Sequence, residues 1–320
     1  MKEATRIQIE AMKAQTFGCE VEMNNISRRD AAKLAAEYFG TDAWKDTNAV
    51  NGYSTWSAWD EQCREWKFSR DCSIAGPNEE RCELVTPVLR YEDMELLQGL
   101  IRALRKAGAK SCPSRGCGVH IHIGANGHTP QTLRNLANLM ASHEKHIAKA
   151  IEIPMTRMNH YCRMVDRTFL ERLNTEKPGT MEELADCWYE GNGARYGRTE
   201  HYNDSRYHMV NLHAFFNRYH TIEFRCFQFD EPGMVDKDGN VRKGGLHAGQ
   251  LKAMIQLCLA MSQMAKQSRT ISAKPQQTEN EAYAFRCWML RLGFIGEEFK
   301  TAREYFMRNF EGNAAWRHAA

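Results

Sequence analysis

Three stretches of this chain alternate in a way that suits a β-strand with one buried face and one chemically active face. They are F-G-C-E-V-E at 17–22, G-V-H-I-H-I-G at 118–124 and T-I-E-F-R at 221–225, where apolar and ionisable residues take turns. Strand side chains point to opposite faces with a period of two. Glu20 and Glu22 therefore share a face, roughly 6.5–7 Å apart at their Cα atoms. Two ionised carboxylates that close repel unless a cation sits between them. His120 and His122 share a face, and so do Glu223 and Arg225, with Ile222, Phe224 and Cys226 on the opposite one. Glu83 heads a fourth strand-like stretch, E-L-V-T-P-V at 83–88. If these faces line the same sheet surface, they make a concave site of four carboxylates, two imidazoles and an arginine.

Such a donor set selects a particular chemistry. Carboxylates with few thiolates suit hard cations, Mg²⁺ or Mn²⁺. Mg²⁺ keeps water and phosphate oxygens as its remaining ligands, so a polyphosphate substrate is implied. An arginine beside it neutralises a phosphoryl group in transfer. No G-x-x-x-x-G-K-[ST] occurs in the chain, which removes the P-loop route to ATP.

The intervening sequence predicts an α+β fold. Ser27 caps a helix with Asp30 as its capping-box partner, and Gly40 ends it. Residues 41–65 read as irregular, 66–73 and 82–88 as short strands, and 93–106 as a helix ended by Gly108. Thr129-Pro130 opens a long helix to about Ile151. Helices are expected over 161–173 and 181–188, and paired strands over 207–212 and 220–227. Further helices are expected over 246–267, 281–292 and 297–310. Residues 191–206 form a polar loop rich in Arg and Tyr, and 230–245 carries the turn signal K-D-G-N at 237–240, which predicts an exposed hairpin or mobile loop. Strands and helices mix without regular alternation, which points to a largely antiparallel sheet.

Bulk properties narrow the class. Hydrophobic residues make up 42% of the 320, enough for a core, and no run reaches the ~18 apolar residues of a membrane span. The N-terminal M-K-E-A-T-R lacks an apolar segment of the secretory type, and the eleven cysteines, an odd number, read as reduced thiols of a cytoplasmic protein. A net charge of +3 is too small to imply nucleic acid. Oligomeric state is not encoded in any of these features.

Taken in order, F-G-C-E-V-E at 17–22, E-L-V-T-P at 83–87, G-V-H-I-H-I-G at 118–124, N-L at 211–212 and T-I-E-F-R at 221–225 resemble the motif set of the amidoligase family, within the glutamine synthetase/glutamate–cysteine ligase superfamily. The resemblance covers about 16–265. It implies a glutamine-synthetase-like fold, a curved, mostly antiparallel sheet with helices on its convex side. One catalytic domain would span 1–320, with its core at about 16–265 and C-terminal helices at about 280–310. Carried over by position, the resemblance makes Glu20, His120 and Glu223 ligands of the metal nearest the γ-phosphate, and Glu22 and Glu83 ligands of the metal on the acceptor side. His122 is similar to a group that contacts nucleotide or phosphate, and Arg225 to the arginine that steadies the phosphoryl group. Arg206 and Asn211 are further candidates for holding nucleotide or substrate. Asp71, in D-C-S at 71–73, falls where related ligases carry a pocket-lining D-x-S element. The implied activity is ATP- and Mg²⁺-dependent amide formation through an acyl phosphate, joining a small-molecule, peptide or polymer carboxylate to an amine. The chain departs from larger members in lacking a recognisable ammonia-source domain and in carrying the 191–206 and 230–245 insertions.

Other readings remain open at the sequence level. A phosphotransferase of the guanidino-kinase type, or a non-catalytic nucleotide-binding relative, would use the same sheet. Cys112, Cys117, His120 and His122 raise a zinc reading. Arg163 and Arg167 read as neighbours on a helix face, and the interleaved Arg195, Tyr196, Arg198, Tyr202, Arg206 and Tyr207 as a lid, a plain surface loop or a single-strand nucleic-acid contact.

Overall fold

A computed structural model describes residues 2–217, 219–236, 239–275 and 277–316. Packing divides the chain into two compact units: Thr16–Ile121 with Phe227–Lys252, and Met1–Gln15 with His122–Cys226 and Ala253–Ala320.

The first unit contains β1 (Phe17–Met23), β2 (Trp44–Asp46), β3 (Trp56–Trp59), β4 (Glu65–Ser69), β5 (Cys82–Val85) and the first half of β6 (Val119–Gly124), in the spatial order β2-β3-β4-β5-β1-β6. The pairs from β2 through β1 are all antiparallel. Its helices are α2 (Arg28–Phe39), α3 (Asn48–Asn51), α4 (Met94–Lys106) and the start of α10 (Ala248–Gln267). The alternation of β1 decides which face is covered. Phe17, Cys19, Val21 and Met23 are all buried, while Gly18 and Glu20 on the other face keep solvent contact. Ala31, Ala32, Ala35, Ala36 and Phe39 of α2 are buried, and the Phe39 ring lies 5.1 Å from that of Trp66. Each large apolar side chain buried in this way contributes roughly 1.5–3 kcal/mol. Ser27 caps α2 through the backbone N–H of Asp30, and Gly40 ends it at φ 71°, as the sequence predicts.

The second unit contains α1 (Glu3–Lys13), the rest of β6, α5 (Pro130–Ile151), α6 (Met155–His160), α7 (Arg167–Glu176), α8 (Met181–Gly191), β7 (Val210–Asn211), α9 (His213–Phe216), β8 (Thr221–Phe227), most of α10, α11 (Glu281–Arg291) and α12 (Lys300–Met307). Its strands run in the order β6-β8-β7, with β7 and β8 antiparallel. Gly191 lets α8 approach α7, because a Cβ there would stand 2.5 Å from the Phe169 Cα. Among the described residues, no helix is long and apolar enough to cross a membrane.

Several boundaries differ from the sequence reading. Residues 41–65 hold β2, α3 and β3 rather than irregular chain, and α1 has no counterpart in the expected elements. Short strands rich in Trp and Ser give too few periods to recognise. Arg163 is not helical: it forms a parallel bridge with His208 between α6 and α7. The 230–245 insertion is a hairpin, with Val235 opposite Val241 and the Asp236 carbonyl accepting from the Gly239 N–H; Lys237 and Asp238 of its turn lie outside the described residues. Its base is closed by the Gly245 N–H donating to the Asp230 carbonyl at 2.9 Å, and by Gln250 donating to the Asp230 carboxylate at 2.7 Å.

One buried acid makes the second unit sensitive to pH. Burial raises Glu144 on α5 to about 7, against a smaller opposing effect of the Val165 N–H, which donates to it at 2.8 Å. The native state therefore holds a proton that the unfolded chain releases from its ordinary range near 4.5. The associated stability is present below that range and is lost as pH rises toward 7. Glu144→Gln keeps the acceptor and removes the titration. Between pH 5 and pH 8, wild type is expected to lose roughly 3 kcal/mol relative to this variant in urea denaturation. Parallel stability–pH curves for the two proteins would refute the assignment.

Candidate functional site

In the first unit, strand register gathers the acids. β1 pairs with β5 so that Glu22 faces Glu83 and Glu20 faces Val85. Glu83 thus joins Glu20 and Glu22 on the part-exposed face. His120 of β6 sets its Nδ1 2.8 Å from Glu20 Oε2 and its Nε2 3.9 Å from Glu22 Oε1. Glu22 is itself fixed: its Oε2 accepts the Gly118 N–H at 2.5 Å. Asp71 arrives from the loop after β4, and that loop is tied down locally. The Ala75 N–H donates to the Arg115 carbonyl at 2.8 Å, Asn24 donates to the Ala75 carbonyl at 2.9 Å, and Arg115 donates to Asn24 Oδ1 at 3.1 Å. Gly116 permits the approach: its φ is +68°, and a Cβ there would stand 2.5 Å from the Ser73 carbonyl oxygen.

Two overlapping metal-capable sets result. Ligand atoms of Glu20, Glu83 and His120 lie within 4.8 Å of one another, and so do those of Glu22, Asp71 and Glu83. Glu83 belongs to both. Oxygen donors with a single imidazole fit a hard divalent cation that keeps water or phosphate as further ligands. Among the described residues no cysteine joins a metal-capable set. Cys112, part of the zinc reading, instead lies against Ser114 and Glu231.

A second constellation forms within the other unit. Asn211 faces Glu223 across the β7–β8 pair and donates to its Oε2 at 2.6 Å. Arg225, two residues on, donates to Glu223 Oε1 at 2.5 Å. All three side chains are buried. His122 places its Nδ1 3.0 Å from Thr221 Oγ1 and its Nε2 3.9 Å from Glu223 Oε1. The guanidinium carbons of Arg225 and Arg206 each lie 5.7 Å from the Tyr207 ring centroid, and Arg206 lies 5.6 Å from that of Tyr202. Arg163 donates to the carbonyls of Tyr207 and Asp204. An arginine held by a carboxylate on one side and an aromatic face on the other is oriented before any ligand arrives.

The ten residues singled out from sequence thus fall into two groups. Glu20, Glu22, Asp71, Glu83 and His120 converge in the first unit. His122, Asn211, Glu223 and Arg225 converge in the second, with Arg206 joined to them through Tyr207. Strand β6 carries one histidine of each group, two residues apart. The sequence reading did not single out Tyr207 as the ring shared by two arginines, although the alternation of basic and aromatic residues before it was the signal.

Comparisons with known proteins agree with the motif order. The profile of a family described as "Putative amidoligase enzyme" matches residues 13–238. No curated protein matches the chain. Among solved structures, the crystal structure of a bifunctional glutathione synthetase from Pasteurella multocida is similar at a TM-score of 0.41 and 13% identity, over 97% of this chain and 49% of that one. The chain spans about half the length of that protein, and a likeness at this score carries no argument for fold or activity.

The sharing of Glu83 between both sets predicts the effect of its removal. Mn²⁺ titration by isothermal calorimetry is expected to show binding to wild type and a loss of about 100-fold in affinity for Glu83→Gln, with Asp71→Asn losing less. Circular dichroism should be unchanged in both variants. Equal Mn²⁺ affinity in wild type and Glu83→Gln would show that the acids do not hold the ion.

Proposed function

The chain belongs to the amidoligase family, and on that premise we propose that it is an ATP-dependent carboxylate–amine ligase working through an acyl phosphate. The observation that supports this best is the pair of constellations just described: acids gathered to hold a cation, and a buried arginine held in place by Glu223 and Tyr207. The reading extends to a glutamine-synthetase-like sheet and to residues 1–320 acting as one catalytic domain, with its core at about 16–265. Eleven free cysteines support a reducing, cytoplasmic setting.

The reaction proceeds in two steps. An oxygen of the donor carboxylate attacks the γ-phosphorus of ATP, the bond to the β-phosphate oxygen breaks, and ADP leaves. An amine then attacks the acyl carbon, the bond to the phosphate oxygen breaks, and the amide forms with release of phosphate and one proton. Mg²⁺, held by Glu20, Glu22, Glu83, His120 and Glu223, would supply neutralising charge to the phosphates when bound. Arg225 stabilises the charge spread over the equatorial oxygens of the moving phosphoryl group. His122 and Arg206 contact the nucleotide phosphates. Asn211 keeps Glu223 oriented and borders the substrate, and Asp71 borders the acceptor side. No protein nucleophile is required: the chain's contribution is orientation and electrostatics fixed in advance. The donor and acceptor are small molecules, peptides or polymers bearing a carboxylate and an amine.

Hydroxylamine trapping tests the reading. With Mg-ATP and a panel of carboxylates, wild type is expected to form a hydroxamate along with ADP. Arg225→Ala and Glu20→Ala should each lower the rate by about 10²–10³. ADP release without hydroxamate would instead indicate a phosphotransferase. Wild-type rates in both variants would remove this site from the chemistry.

A further inference from the structure

The polar insertion at 191–206 is exposed and yet pinned. Arg195 through Glu200 are all exposed. A surface loop can leave its carbonyls to water. Here they turn onto side-chain donors of the second unit. Asn203, itself fully buried, donates to the carbonyls of Tyr196 and Gly197 at 2.7 and 3.1 Å. Asn217 donates to that of Thr199 at 3.4 Å, the His213 ring to that of Glu200 at 3.0 Å, and Arg206 to that of His201 at 3.0 Å.

His213 is the member of this set that also touches the buried constellation. It opens α9 directly after β7, and its backbone N–H donates to Asn211 Oδ1 at 2.8 Å in an Asx turn. The same Asn211 carboxamide donates to Glu223 from its other end, so both of its ends are fixed. The His213 side chain is buried and has a defined tautomer. A carbonyl only accepts, so Nε2 carries the proton given to Glu200, and Nδ1 accepts from the Tyr189 hydroxyl at 2.7 Å. Burial lowers the His213 pKa, which favours this neutral form.

These contacts close a circuit. It runs from His213 to Glu200 and its neighbour His201, from the His201 carbonyl to Arg206, and from Arg206 to the Tyr207 ring. From that ring it passes to Arg225, then through Glu223 and Asn211 back to the His213 N–H. Loss of the imidazole opens the circuit on the side of Arg206. It leaves the Asn211 turn in place, because that turn uses the His213 backbone.

We propose that His213 is a positioning residue: it docks 199–201 and so holds the Arg206 guanidinium where it meets the nucleotide phosphates. The identity of that ligand rests on the ligase reading. A guanidinium tied at one nitrogen and lying against the Tyr202 and Tyr207 rings is oriented before a phosphate arrives. The exposed insertion is then a fixed wall of the site, and its polar composition reflects the donors and acceptors that fasten it.

Calorimetric titration of the full chain with Mg-ATP tests this. His213→Leu is expected to weaken binding about tenfold. His213→Gln, whose amide can donate to Glu200 as Nε2 does, should restore most of it. In an Arg206→Ala background, His213→Leu should change affinity less than about twofold. In the hydroxylamine assay, His213→Leu should raise KM for ATP and leave kcat within about twofold. Without nucleotide, trypsin should cut after Arg195 and Arg198 about tenfold faster in His213→Leu, with circular dichroism unchanged. Unchanged affinity in His213→Leu, or equal losses with and without Arg206, would overturn the proposal. Faster cleavage with wild-type affinity would also overturn it, since that marks a tie for the loop alone. Hydroxamate formation by wild type separates the two failures. Hydroxamate with independent losses at 206 and 213 leaves the ligase reading standing and removes this role. Coupled losses of ATP affinity without any hydroxamate remove the ligase reading and leave His213 positioning a nucleotide site.

Discussion

Like charges held close together on a strand face are the constraint around which the first unit is organised. The β1–β5 register leaves Glu20, Glu22 and Glu83 no way to separate. Their repulsion is offset locally: His120 sits against Glu20, and the Gly118 N–H is spent on Glu22. The apolar face of the same strands, buried at Cys19, Val21, Met23, Cys82 and Leu84, supplies the stability that tolerates their closeness.

The second unit solves the opposite problem. A buried guanidinium must keep its charge without water, and Glu223, Asn211 and Tyr207 replace the lost solvation one direction at a time. Removing Glu223 would take away the carboxylate paired with the Arg225 charge. The constellation therefore behaves as a unit, in which the apparent contribution of each member depends on the others.

Much of this was legible in the sequence, for a physical reason. A period of two survives as long as a strand has three or four residues on each face, so β1, β6 and β8 announced both their structure and the face that carries their ionisable residues. The Ser27 cap and the Gly40 stop were equally local and equally readable. What escaped was non-local or too short. β2 and β3 hold 3 and 4 residues and leave too few repeats to detect. Arg163 looked helical because its neighbours are, but its partner His208 lies far along the chain.

The 230–245 hairpin has a consequence for anyone who wishes to modify this chain. Its two ends meet at Asp230 and Gly245, and Gly244 packs so closely on Pro232 that a Cβ there would stand 2.4 Å from the Pro232 nitrogen. The stem closes itself, and its paired Val235 and Val241 are exposed. A loop whose ends already touch tolerates replacement, because the neighbouring elements do not sense its length. It is the natural place to graft an epitope, a fluorophore handle or a new terminus, while an insertion of one residue in β1 ahead of Glu20 would shift both glutamates toward the apolar layer.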